Sequence, residues 1–256
     1  DIWSKIVPNE KIILGGKKDN FWEMGDTGPC GPCSEIHIDL RSDSEKSKTP
    51  GKDLVNTDHP NVIELWNLVF IQFNRMSNGD LVELPQKHID TGMGFERLVR
   101  VIQKKESNYD TDIFSPLIKT IESLSNKKYG SNLKADIAMR VVSDHIRAVA
   151  FCICDGQIPG NSGPGYVIRR ILRRAVRYGY TFLKMKDHFI YKLVDPLSEQ
   201  FSDFFPEIAK NKELVKTIVK EEESSFLKTL SEGILRLDSI TSNLKSNIIS
   251  KKYRIN

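Results

Sequence analysis

Residues 84–98 constrain the fold of this chain more than any other stretch, because they join an extended segment to a helix through two glycines. The extended part ends near Asp90, Gly92 and Gly94 follow at the turn, and helical spacing of apolar residues begins at Phe95. Glycine has no side chain, so the main chain at such a turn can approach a ligand closely. The stretch therefore predicts a strand–turn–helix unit, either as an ordinary junction or as part of a ligand site.

Two side chains in this stretch have ligand-binding chemistry. Arg97 lies in the first turn of the predicted helix, where its planar guanidinium can stack on a ring or bind a phosphate. Asp90 lies just upstream, and its carboxylate can pair with an ammonium group. Together they favour a ligand that has both a phosphate and an amine.

The bulk properties limit the class of protein. The 256 residues suffice for one large domain or two ordinary ones, and 39% hydrophobic with 28% charged residues is a soluble globular composition. No apolar run is long enough to cross a membrane, and the sequence opens on Asp1 without a signal-peptide pattern. We expect an internal segment of a longer cytoplasmic protein whose four cysteines are reduced.

The segment from residue 25 to 33 is rich in glycine and proline and predicts a rigid loop that forms a wall of a ligand pocket. Cys30 and Cys33 within it have zinc-ligand spacing, but a closed site needs four ligands and no second Cys-x-x-Cys exists. We therefore expect small buried residues in a turn and no zinc. Residues 34–40 then alternate in polarity, which predicts a half-buried strand with an acidic face.

A long β-prone run at residues 61–75 contains polar residues that need partners if they are buried. Simple alternation puts Asn67 and Val69 on one face and Glu64 on the other. The simplest interpretation is an edge strand with a solvated face.

The second half of the chain has helical periodicity. Residues 106–134 combine a helix with a polar linker, a plausible domain boundary, and a helix is predicted from Ala135 to about Asp155. The last fifty residues predict scaffold helices with an apolar seam. The seam comprises Leu214, Ile218, Phe226, Leu230 and Ile234.

The helix predicted from Tyr166 to Gly179 is strongly basic. At about 100° per residue its arginines fall within about 140° of the helix surface, with no acidic residue among them. Such a face suits the phosphate backbone of a nucleic acid, unless acidic groups elsewhere in the fold neutralise it. The arginines are Arg169, Arg170, Arg173, Arg174 and Arg177.

Four segments taken together resemble the alanyl-tRNA synthetases, a class II family. They are residues 21–33, 64–75, 90–97, and 144–147 with the arginine helix that follows. The third resembles motif 3 of the class II enzymes. The resemblance implies an α+β fold, in which an antiparallel sheet flanked by helices is followed by an all-α tRNA-binding domain.

The resemblance also implies the division of the chain. Residues 1–105 would be the back of the catalytic domain, residues 106–134 a connecting segment, and residues 135–256 the helical domain that recognises the tRNA acceptor stem. Motifs 1 and 2 would lie upstream, and editing or oligomerisation regions elsewhere. The segment alone is therefore expected to be inactive, and any homo-oligomer would form through other regions.

In the ATP site implied by the resemblance, Arg97 would lie against the adenine and the γ-phosphate side of ATP. Gly92 and Gly94 would let the backbone close on the substrate. Glu64 resembles the acid that holds Mg²⁺ in class II sites, although its place on the opposite face from Asn67 would then require a bulge.

In the alanine site implied by the resemblance, Asp90 would pair with the ammonium group and Asn67 would orient the amino acid. Trp22 and Val69 would narrow the pocket around the methyl group, next to Gly92. Such a pocket excludes larger side chains but discriminates poorly against glycine and serine.

In the tRNA site, the arginine helix would bind the phosphate backbone of tRNA(Ala). Asn161 falls in the loop that resembles the region recognising a G·U pair. The alternative to a ligase is a non-catalytic synthetase-like module that binds tRNA. The presence of Asp90, Gly92, Gly94 and Arg97 favours the enzyme.

Overall fold

The computed structural model describes residues 2–252, with the side chains of its last helix described as far as residue 241 except at 238. It separates into two compact units, one extending to Thr111 and one beginning at Asp112. Residues 106–111 thus belong with the first unit and residues 112–134 with the second. The described part of the chain contains no helix with the length and apolar character needed to cross a bilayer.

The first unit is organised on an antiparallel sheet of strands in the order β1-β2-β3-β4, so the predicted α+β fold is confirmed. Its strands and helices, in chain order, are β1 (Phe21–Glu23), β2 (Gly28–Asp39), α1 (Asp43–Lys46), β3 (Val62–Arg75), β4 (Leu81–Met93) and α2 (Phe95–Ile102). Short 3₁₀ turns occur at Trp3–Lys5, Asn9–Lys11, Gly51–Leu54 and Asn108–Asp110.

The predicted loop at residues 25–33 is wrong over most of its length, because β2 already begins at Gly28. Glycine is used here for close backbone approach. A Cβ added to Gly31 would overlap the carbonyl oxygen of Phe70 on β3. Cys30 is fully buried here, beside a register shift in the pairing of β2 with β3 between Cys30 and Cys33.

The polar segment after β2 is anchored by Arg41, which is buried. Its Nη2 donates to Asp39 Oδ2 at 2.6 Å and to the Thr49 carbonyl oxygen at 2.8 Å. The same guanidinium lowers the pKa of the Asp39 carboxyl group. The segment is thereby held against the end of β2.

The second unit is helical. It contains α3 (Ser115–Ser125), α4 (Leu133–Cys154), α5 (Gly163–Tyr178), a π-helical turn (Gly179–Leu183), a 3₁₀ turn (Ile190–Leu193), α6 (Val194–Phe201), α7 (Pro206–Lys210) and α8 (Lys212–Lys252). Met139 and Ile146 of α4 and Leu172 of α5 are fully buried in its core.

The predicted apolar seam of α8 is shifted by one residue at its start. Val215 and Val219 are fully buried, whereas Leu214 is 52% exposed. Adjacent helical residues differ by about 100° in direction, so the residue at 215 faces the core and the one at 214 faces solvent.

The buried line of α8 continues with a carboxyl group, Glu223, which is 0% exposed. Its Oε1 accepts hydrogen bonds from the backbone N–H groups of Phe189 and Ile190 at 2.9 and 3.1 Å. Glu223 thus satisfies the start of the 3₁₀ turn at Ile190–Leu193. Burial raises the pKa of Glu223 to about 7, although the backbone donors oppose the shift.

The tight approach at Gly31 gives a first prediction. Replacement of Gly31 by Ala should lower the free energy of unfolding by about 3 kcal/mol or more, because the new methyl group overlaps backbone atoms of β3. The matched control is Gly92→Ala on β4, where an added Cβ meets nothing within 4 Å. Urea unfolding of both variants measures the difference, and equal midpoints would contradict the packing described.

Glu223 gives a second prediction. Its folded pKa of about 7 lies above the 4.5 of an unfolded glutamate, so the protonated form favours the folded state. Stability from this group is present below pH 4.5 and is lost as pH rises through 7, in total about 3 kcal/mol. Urea unfolding between pH 4.5 and 8 should show this loss, and Glu223→Gln should remove it. The exposed neighbour variant Glu221→Gln should keep the full pH dependence.

Candidate active site and basic helix

A row of side chains crosses one face of the sheet, on three adjacent strands. Val69 of β3 lies directly opposite Cys33 of β2 and Asp90 of β4. Asn67, two residues before Val69, lies opposite Glu35 and Gly92. Directly opposed residues of antiparallel strands project to the same face. The row, named here the site row, comprises Cys33, Glu35, Asn67, Val69, Asp90 and Gly92.

Glu64 belongs to the same face, and its predicted place on the opposite face is wrong. Opposite consecutive residues of β2, Ile36 pairs with Trp66 and His37 pairs with Glu64, so Leu65 is an extra residue on β3. A bulge of this kind reverses the alternation of the bulged strand. Glu64 is therefore brought onto the face of Asn67.

Hydrogen bonds tie the site row together between β2 and β3. Asn67 Nδ2 donates to Glu35 Oε1 at 3.0 Å, and His37 Nε2 lies 2.9 Å from Glu35 Oε2. Burial, and then the nearby charge of Glu35, raise the pKa of the Cys33 thiol, which keeps it neutral.

The turn from β4 into α2 borders the site row. Gly94 caps α2, and its N–H donates to the Leu65 carbonyl oxygen at 2.9 Å, beside the bulge. Arg97 is exposed, and its Nη1 donates to the Glu64 carbonyl oxygen at 2.8 Å. The Arg97 side chain folds back over Gly94, where an added Cβ would lie 3.0 Å from Arg97 Cδ. The guanidinium is thus held beside the sheet face.

The structure brings most of the predicted site residues of this unit together. Asn67, Val69, Asp90 and Gly92 lie in the site row, and Glu64, Gly94 and Arg97 adjoin it. Trp22 lies one strand away on β1, half-buried and opposite Gly31, at the border of this group.

Three side chains of this face were not assigned to the substrate site from the sequence. Cys33, Glu35 and His37 lie at alternate positions of β2, and Glu35 and His37 form the predicted acidic face of that strand. The alternation of polarity along β2 indicated this face, but it could not show that Asn67 on β3 is the hydrogen-bond partner of Glu35. Among the side chains that the structure describes, no cluster of three or more His, Cys, Asp or Glu has the arrangement of a metal site.

The basic helix α5 of the second unit divides its arginines into two groups. Glu222 of α8 accepts hydrogen bonds from Arg169 Nε at 3.1 Å and from Arg173 Nε at 2.7 Å. Arg169 also donates to Asn161 Oδ1, and the Arg173 guanidinium lies 5.1 Å from the centre of the Phe226 ring. Two of the five arginines are therefore engaged within the fold, where the single carboxylate of Glu222 offsets one of their two positive charges.

The other three arginines of α5 face solvent. They are spaced four and three residues apart, so they form a single stripe along the helix. This stripe, named here the outer stripe, consists of Arg170, Arg174 and Arg177. It is a row of positive charges that has no acidic side chain on its own helix.

The sheet, the strand–turn–helix unit and the basic helical unit agree with the comparisons with known proteins. The chain belongs to the family described as tRNA synthetases class II (A), whose model matches residues 1–256. It is 61% identical over 250 residues to the alanine–tRNA ligase of Christiangramia forsetii, which covers 98% of this chain and 29% of that protein. It is 58% identical over 246 residues to the alanine–tRNA ligase of Cytophaga hutchinsonii, covering 96% of this chain and 28% of that protein. The chain thus spans less than a third of the length of these relatives.

Proposed function

We propose that this chain forms part of an alanine–tRNA ligase, which activates alanine with ATP and transfers it to tRNA(Ala). The observation that supports this most strongly is the site row. Its register places Asn67 and Val69 beside Gly92 and Asp90, with Arg97 adjoining. These are the positions that the resemblance assigned to amino acid and nucleotide. The names of the curated relatives favour the same reaction.

In the proposed amino-acid site, the Asp90 carboxylate pairs with the ammonium group of alanine. Val69 lies opposite Asp90 and, with Trp22 at the border, limits the space left for the side chain. An added Cβ at Gly92 would meet no atom within 4 Å, so this part of the face is open to a substrate. Asn67, opposite Gly92, orients the amino acid.

In the proposed nucleotide site, Arg97 binds ATP from the first turn of α2, and Gly92 and Gly94 keep the approach to the main chain open. Mg²⁺ in such sites is held by one or two carboxylates together with substrate phosphates, and Glu64 on the same face suits that role. The alanine carboxylate attacks the α-phosphate and pyrophosphate leaves. The protein contributes positioning and charge neutralisation without a nucleophile of its own.

In the proposed tRNA site, the outer stripe Arg170, Arg174 and Arg177 binds phosphates of the acceptor stem. Arg169 and Arg173 have a structural role, because both form ion pairs with Glu222. Arg169 also holds Asn161, which we assign to recognition of the base pair. Residues 135–256 are then the tRNA-recognition part and residues 1–105 the catalytic part of a cytoplasmic enzyme. A non-catalytic tRNA-binding module remains the alternative that the following experiment tests.

The central test is alanine-dependent ATP–pyrophosphate exchange by the full-length protein that carries this chain. Arg97→Ala should lower exchange by about a hundredfold or more, since one group that stabilises the transition state is lost. Affinity for tRNA should change by less than about twofold, because Arg97 lies in the other unit from α5. Exchange should be weaker with serine and glycine than with alanine. A folded wild-type protein that binds tRNA but shows no exchange would favour the non-catalytic module.

The division of the α5 arginines gives a further prediction. Arg174→Ala should reduce the slope of log affinity for tRNA against log salt concentration by about one unit, as expected for one lost phosphate contact. Arg173→Ala should leave that slope unchanged and instead lower the midpoint of thermal unfolding, because Glu222 and Phe226 lose their partner. Filter binding at several salt concentrations and calorimetry measure the two effects. Equal slopes for both variants would refute the division.

A further inference from the structure

The carboxamide of Asn67 is held by a hydrogen-bond acceptor on its nitrogen side. Nδ2 donates to Glu35 Oε1 at 3.0 Å. The second carboxylate oxygen of Glu35 is engaged by His37 Nε2 at 2.9 Å. Across the part of the chain that the structure describes, Asn67 Oδ1 is buried and receives no hydrogen bond.

These contacts fix which way the amide points. An ionised carboxylate can only accept hydrogen bonds, whereas the two ends of an amide differ, with N–H donors on one side and an acceptor oxygen on the other. Rotating the Asn67 amide by half a turn would place Oδ1 against Glu35 Oε1, two acceptors at hydrogen-bond distance. The nitrogen therefore faces β2, and the oxygen is the group left for another partner.

A buried acceptor without a donor is costly, and a donor supplied by a bound molecule relieves that cost. Asn67 lies opposite Gly92, and Val69, two residues further along β3, lies opposite Asp90, all on the same face. Diagonal neighbours in such a sheet lie within reach of one ligand group. An ammonium group has three donors, so it can satisfy both the Asp90 carboxylate and the Asn67 oxygen.

We infer that Glu35 is a positioning residue that orients Asn67 as a hydrogen-bond acceptor for the α-ammonium group of the substrate amino acid. This inference rests on the proposed function. Asp90 supplies the charge that binds the ammonium group, and Asn67 supplies a directional neutral acceptor. Glu35 acts through Asn67 without touching the substrate, and His37 holds the carboxylate of Glu35 in place.

Glu35→Gln tests this in the full-length protein by ATP–pyrophosphate exchange. A glutamine side chain offers both a donor and an acceptor, so either orientation of the Asn67 amide is satisfied and the preference is lost. The KM for alanine should rise about tenfold, the scale expected for one hydrogen bond to a charged group. The KM for ATP and kcat should stay within about twofold, and Glu83→Gln, an exposed glutamate on β4, should change nothing.

An exchange of charges separates positioning from a merely structural role. Asn67→Asp alone sets two carboxylates against each other and should raise the KM for alanine further than Glu35→Gln does. In the double variant Glu35→Gln with Asn67→Asp, the introduced amide donates to one oxygen of the introduced carboxylate and leaves the other to accept from the ammonium group. The double variant should therefore recover a KM for alanine within about threefold of the wild type. If the two substitutions acted independently, their effects would add and the double variant would be worse than either single variant.

Two results would overturn the inference in an active enzyme. One is an unchanged KM for alanine in Glu35→Gln, and the other is a double variant no better than the worse single variant. If Glu35→Gln does not fold, Glu35→Asp replaces it. The shorter carboxylate no longer reaches Asn67 Nδ2, so the KM for alanine should rise, and an unchanged value would refute the inference. A folded wild-type protein without any alanine-dependent exchange would instead refute the proposed function.

Discussion

The register of β3 against its two neighbours is the constraint on which the candidate site depends. Side chains alternate with a period of two, so a slip of one residue would turn the whole of β3 to the other face. In this structure Val69 pairs with Cys33 of β2 on one side and with Asp90 of β4 on the other, so the register of β3 is defined against both neighbours. At the register shift between Cys30 and Cys33, the absence of a side chain at Gly31 allows β2 and β3 to lie close together. The backbone pairing thus determines on which face Asn67 lies, and the hydrogen bond of its side chain with Glu35 determines how the amide is oriented there.

Much of the framework was predictable because it depends on local patterns. The strand–turn–helix unit at residues 84–98, the long strand β3 and the helix α4 each follow from periodicity over many residues, and all three are confirmed. The segment at residues 25–33 was misjudged, because its glycines and prolines are typical of a turn when taken alone. Pairing with β3 overrides that local tendency, and the strand begins at Gly28.

The parts of the site that could not be predicted involve pairs of distant residues. The bulge at Leu65 is a mismatch between two strands, so nothing in β3 alone indicates it. Glu35 was visible as part of an acidic face, but its contact with Asn67 joins residues 32 positions apart. The arginines of α5 likewise indicated a uniformly basic surface, whereas Glu222 binds Arg169 and Arg173 from 53 and 49 positions away. A charge pattern shows the sign of a face but not its partners.

The contact with Glu222 also determines the angular setting of α5. The buried apolar residues on the inner side of α5 pack against the core, and the contact with Glu222 adds a polar constraint on rotation of the helix. The carboxylate of Glu222 binds two guanidinium groups that lie one helical turn apart. Both hydrogen bonds would break if α5 rotated about its axis, so the contact opposes that rotation. Successive helical residues differ in direction by about 100°, so the contact with Glu222 also fixes the direction in which Arg170, Arg174 and Arg177 point. The orientation of the outer stripe on α5 is thus determined in part by Glu222, a residue of α8.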